Sequence, residues 1–131
     1  MKRFMVNPRT CTLCHNCEMA CAFRHYDGNP PMKPRIRVVQ EQGLNIPLTC
    51  MQCEHAACVA VCPVSALVRS ETTGAIELIE GRCIGCRMCV NACPFGHMVF
   101  DEAADEPVKC DLCGGNPACV PFCPTQALVY R

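Results

Sequence analysis

The sequence predicts an α+β fold of short strands and short helices, organised by thiols more than by a large apolar core. Three observations predict it. Sixteen of the 131 residues are cysteine, and they fall into four quartets. The stretches between quartets are brief, with strand-like alternation or helical potential broken by Gly and Pro. Bulk for an ordinary core is scarce, with no Trp, two Tyr and five Phe.

Taken in order, residues 2–6 read as a short strand leading to the first quartet, Cys11, Cys14, Cys17 and Cys21, spaced two, two and three residues apart. Ala22 follows it. Residues 18–25 continue as helix up to the Asp27-Gly28-Asn29-Pro30-Pro31 breaker. Residues 35–40 alternate as a strand, and residues 43–47 read as a connection. The second quartet is Cys50, Cys53, Cys58 and Cys62, spaced two, four and three, with Pro63 after it. A helical turn at 64–68, a turn at Thr72-Thr73-Gly74 and a strand at 75–79 are expected next. The third quartet, Cys83, Cys86, Cys89 and Cys93, repeats the two-two-three spacing and ends in Pro94. A strand at 98–100 and an acidic connection at 101–106 follow. The fourth quartet is Cys110, Cys113, Cys119 and Cys123, spaced two, five and three before Pro124, and residues 127–130 close as a strand. Cys-Pro-x-x-Ala-Leu occurs twice, at 62–67 and 123–128. Proline suits the first turn of a helix, so a helical turn is expected after the cysteine in each copy.

Cys-x-x-Cys-x-x-Cys-x-x-x-Cys-Pro, at residues 83–94, is the bacterial ferredoxin signature for a [4Fe–4S] cubane. Three close thiolates grip one cube, and the fourth cysteine reaches the neighbouring one. Structural zinc takes two cysteine pairs separated by a longer loop, which the first and third quartets do not match. A disulfide framework needs an oxidising compartment. The amino terminus shows neither an apolar h-region nor paired arginines, so a cytoplasmic location is expected. With every quartet complete, ligation by His15 or His97 is unnecessary, and both are read as surface or hydrogen-bonding residues.

The formal charge is zero with cysteine counted as neutral. Four thiolates around a [4Fe–4S]²⁺ core leave minus two, so four clusters bring the loaded chain to roughly minus eight. The longest uncharged apolar stretch, 56–68, is too short to span a bilayer. The chain has no glycine-rich nucleotide loop and no nucleophile elbow. Cys113-Gly114-Gly115-Asn116 is expected to let backbone amides approach sulfur. No catalytic residue and no nucleic-acid partner is assigned.

Lys109-Cys110-Asp111-Leu112-Cys113, Pro117-Ala118-Cys119-Val120 and Cys123-Pro124-Thr125, together with Cys93-Pro94-Phe95-Gly96, carry a family resemblance. The chain resembles the four-cluster ferredoxin-like electron-transfer subunits. These serve molybdenum or tungsten oxidoreductases such as dimethyl sulfoxide reductase, formate dehydrogenase and aldehyde oxidoreductase, and also hydrogenase and carbon monoxide dehydrogenase systems. The resemblance implies that the quartets pair first with fourth and second with third. Cys11, Cys14 and Cys17 would then share a cluster with Cys123, and Cys110, Cys113 and Cys119 with Cys21. Cys50, Cys53 and Cys58 would pair with Cys93, and Cys83, Cys86 and Cys89 with Cys62. It further implies two ferredoxin-like modules, one inserted in the other: an outer module of residues 1–46 and 99–131 around an inner one of 47–98. Set against the membrane-bound relatives, a chain without their long insertions and carboxy-terminal anchor segment is expected, so no membrane partner is expected either.

The function expected is a non-catalytic relay of single electrons through four [4Fe–4S] clusters. It would run between a catalytic molybdenum or tungsten subunit, with aldehyde oxidoreductase as one candidate, and a second redox partner. The rival readings are a freely diffusing polyferredoxin, a hydrogenase- or carbon monoxide dehydrogenase-linked electron carrier, and a zinc-holding interaction module.

Overall fold

Four antiparallel two-stranded ribbons, three short α-helices and two 3₁₀ turns make up the computed structural model, which describes residues 2–26, 28 and 34–131. Of the breaker expected at 27–31, only Gly28 is among the described residues. Strand β1 (Phe4–Val6) pairs with β8 (Leu128–Tyr130), so the two ends of the chain meet. The other ribbons are local hairpins: β2 (Ile36–Glu41) with β3 (Leu44–Thr49), β4 (Leu67–Arg69) with β5 (Ile76–Leu78), and β6 (Val99–Asp101) with β7 (Glu106–Val108).

Two strands correct the sequence reading. Residues 43–47 belong mostly to β3, because Gln42 (φ 51°) and Gly43 (φ 79°) form a tight two-residue turn of left-handed backbone. The acidic connection at 101–106 is a hairpin whose return strand is β7. Asp101 starts its turn, its Oδ1 accepting from Ala103 N at 3.1 Å and Ala104 N at 3.4 Å.

Helices α1 (Asn16–Arg24), α2 (Ala57–Val61) and α3 (Met88–Ala92) each carry the third cysteine of a quartet as their second residue. Where they end follows from the next residue. Cys62 and Cys93 hold extended backbone (ψ 114° and 113°) because a residue before proline is driven out of the helical region. Ala22 imposes no such restriction, and α1 runs through Cys21 to Arg24. For the same reason the helical turn expected at 64–68 is absent: the helix precedes Cys62, and Pro63-Val64 is a turn into β4.

Apolar burial is divided between two clusters. One joins Cys17, Cys21, Ile36, Cys119 and Leu128, and the other Leu67, Ile76, Cys89 and Met98. Ile76 and Leu128 are the largest fully buried side chains. No described helix is long and apolar enough to cross a membrane.

Candidate metal centres

All sixteen cysteines are free thiols. One cavity is lined by Cys11, Cys14, Cys17 and Cys123, a second by Cys50, Cys53, Cys58 and Cys93, and a third by Cys62, Cys83, Cys86 and Cys89. The remaining four lie close enough to shift one another's ionisation. Cys21 feels Cys110 and Cys113, and Cys119 feels Cys110, Cys21 and Cys113.

The helices produce this sorting. Cys58 lies in the first turn of α2 with Cys62 directly after it, and Cys89 and Cys93 stand likewise on α3, which packs on α2. Each helix thus contributes one thiol to each of two cavities. α1 divides its thiols likewise, Cys17 to the first cavity and Cys21 to the remaining group of four, as the turn at 118–122 divides Cys123 and Cys119.

Backbone conformation aims N–H groups at sulfur. Leu13 and His15 in the first loop, and Gly85 and Arg87 in the third, have positive φ two and four residues after the leading cysteine. Alternating left-handed residues turn successive amides toward a common concavity, which suits an anionic group. In the second and fourth loops, Gln52 N donates to Cys50 Sγ and Leu112 N to Cys110 Sγ, both at 3.4 Å. After the Cys-Pro turns, Ser65 (φ 53°) and Gln126 (φ 56°) reverse the chain. The next amides then return to sulfur: Ala66 N to Cys62 Sγ at 3.3 Å and Ala127 N to Cys123 Sγ at 3.2 Å. Cys21 has no proline turn and instead accepts from Arg35 N at 3.1 Å.

Thiol ionisation follows these surroundings. Burial is the main cause that pushes Cys17 up to about 11 and Cys119 up to about 12. It also raises Cys21, Cys58, Cys89 and Cys110. At Cys62 and Cys123 burial acts the same way but is outweighed by hydrogen-bond donors, chiefly backbone N–H groups, and both thiols fall below the ordinary value. Sulfurs this buried become thiolates against metal, and the amides aimed at them stabilise the charge that remains. The donor set fits an iron–sulfur group.

A family model described as a 4Fe-4S dicluster domain matches residues 42–131. The chain belongs to that family. It is an iron–sulfur electron-transfer protein, and it holds multiple [4Fe–4S] clusters. It is similar to the polyferredoxin-like subunit of the aliphatic sulfonate oxidoreductase of Pyrococcus furiosus, with 42% identity over 120 residues covering 91% of this chain and 69% of the relative. It is also 42% identical over 127 residues to UacF of Escherichia coli, covering 90% of this chain but only 19% of that longer protein. Among solved structures it resembles a chain of the active-site complex BamBC of benzoyl coenzyme A reductase, as isolated. There the TM-score is 0.55 at 25% identity, over all of this chain and 76% of the other.

The structure adds residues that cysteine spacing does not reveal. His15 is a hydrogen-bonding residue as expected, its Nδ1 lying 2.6 Å from Glu18 Oε1, which also accepts from Val38 N. His97 departs from expectation. Its ring stacks on Phe95 beside the Cys50 cavity, and its buried Nδ1 has no partner among the described residues. Gly115 (φ 105°) gives room to the Thr73 methyl, which would stand 3.0 Å from an added Cβ. Lys109, only 4% exposed, lines the Cys50 cavity. No periodic pattern marks it as buried; its place directly before Cys110 is the one available signal.

Proposed function

We propose that the chain is a non-catalytic relay subunit holding four [4Fe–4S] clusters, each bound by one of the four thiol sets. When bound, such a cluster takes up and releases one electron at a time. The observation that carries this reading is the sharing of α1, α2 and α3 between neighbouring sets. Cys17 and Cys21 link the Cys11 set to the Cys110 set, and α2 with α3 links the Cys50 set to the Cys83 set. Cys110 and Cys50 are near enough to influence each other, which joins the two halves. The order along the relay is therefore the Cys11, Cys110, Cys50 and Cys83 sets. Sixteen thiolates for four clusters leave no iron free for substrate, which supports transfer over catalysis.

Two modules, one inserted in the other, agree with the burial pattern. All members of the Leu67–Ile76 cluster lie within residues 47–98, and all members of the Ile36–Leu128 cluster lie outside them. The hairpin β2–β3 bridges the junction at 46–47. The similarity to an oxidoreductase subunit supports a large catalytic partner, and a molybdenum or tungsten enzyme in the cytoplasm is the partner we favour.

Size-exclusion chromatography of the native protein, purified anaerobically, tests the subunit role. Co-elution with a large redox enzyme is expected. A lone small brown species would replace this reading with that of a freely diffusing carrier.

A further inference from the structure

Lys109 is an unusual choice for a core. Its side chain is 4% exposed, and it lies where the wall of the Cys50, Cys53, Cys58 and Cys93 cavity meets the loop of Cys110. A lysine has three N–H donors and no acceptor. Here Nζ meets three oxygens: Cys110 O at 2.6 Å, Gln52 Oε1 at 3.3 Å and the carbonyl of Ile76. Gln52 completes the joint, its Nε2 donating to Cys110 O at 2.7 Å and its Oε1 accepting from Ile76 N at 2.8 Å. Arg35 Nη1 donates to the Lys109 carbonyl at 3.0 Å and fixes the backbone.

A buried cation needs a reason, since neutral packing is the less costly solution. The oxygens around Nζ are all uncharged, so its charge is left to act on whatever lies beside it. Beside it are two thiol sets. The geometry points to Lys109 as a fixed positive charge that raises the reduction potentials of the clusters held by the Cys50 and Cys110 sets. The inference rests on the proposed ligand sets. Consistent with it, Lys109 lowers the pKa of both Cys58 and Cys110, against the larger upward push of burial.

The physical sense is direct. Reduction adds one negative charge to a site already anionic, and a nearby ammonium in a low-dielectric interior favours the more negative state. These two sets flank the junction between the halves of the relay, so Lys109 eases the electron's entry at its middle. Among the described residues, Lys109 lines neither the Cys11 cavity nor the Cys83 cavity.

Potentiometric titration followed by electron paramagnetic resonance, on the full chain loaded with its clusters, tests the assignment. Lys109→Met and Lys109→Gln, with iron per chain unchanged, are expected to lower two midpoint potentials and leave the others alone. Lys109→Arg, which keeps the charge, should restore both. Wild-type midpoints in a neutral variant with full iron would overturn the proposal. Loss of iron from both neutral variants would overturn it as well, by showing a structural strut. Wild-type protein with fewer than four clusters would instead count against the ligand sets, whatever Lys109 does.

Discussion

Cys58 lies in the first turn of one short helix, α2, and Cys62 directly after it, yet they open into different cavities, Cys58 beside Cys93 and Cys62 beside Cys89. On the proposed ligand sets, Cys58 and Cys62 therefore serve different clusters, and Cys58 and Cys93 serve the same one. Losses of paired cysteines should be non-additive in a definite pattern. Cys58→Ala with Cys93→Ala is expected to remove no more than either alone, about one cluster or four irons. Cys58→Ala with Cys62→Ala should remove two. Iron analysis and the number of reduced-state resonance signals read the difference.

Gln52 ties three parts of the chain together, and its loss should be felt in stability. Gln52→Leu strands the amide of Ile76, a residue only 1% exposed, and removes a donor from the Cys110 carbonyl. A buried group left without its hydrogen bond costs about 1–3 kcal/mol. Anaerobic thermal unfolding of the loaded protein is expected to show the drop, with iron content unchanged before melting.

Gly85 marks a backbone position that a side chain strains. It has φ +71°, and an added Cβ would stand 3.0 Å from the Asp105 carboxylate. The carboxylate belongs to an exposed side chain and can move away; the left-handed backbone remains, at about 1–2 kcal/mol for a residue with a Cβ. Gly85→Ala should accordingly lower the melting temperature and speed iron loss to a chelator. Adding Asp105→Ala should recover only the smaller, steric part.

Proton linkage has a fixed sign at the buried thiols. Cys17 and Cys119 are raised from 9.0 to about 11 and about 12, chiefly by burial. An acid raised on folding stabilises the metal-free fold below its ordinary value, and this stability is lost as pH climbs through the folded value. Metal binding displaces the same protons and so strengthens as pH rises. Stability of the chelated chain should fall between pH 9 and about 12, while iron binding tightens over the same interval. Parallel loss of both would contradict the linkage.

Much of the site was legible in the chain, because thiol spacing reports coordination directly: the quartets found in sequence are the ones whose members line the cavities. Helix ends were legible only in part. Proline after cysteine admits two readings, the start of a helix or the end of one, and at Cys62 and Cys93 the restriction on the preceding residue prevails. Strands β3 and β7 were hidden because Pro47 and Pro107 look like breakers. In a two-stranded ribbon, however, a proline can occupy an edge position where no N–H is required. The burial of Lys109 was invisible for another reason: it is created by Gln52 and Ile76, which only the fold brings near.

Iron and acid-labile sulfide per chain, measured on anaerobically purified protein, test the central claim most directly. About sixteen of each are expected, four to a cluster. A value near eight would contradict it.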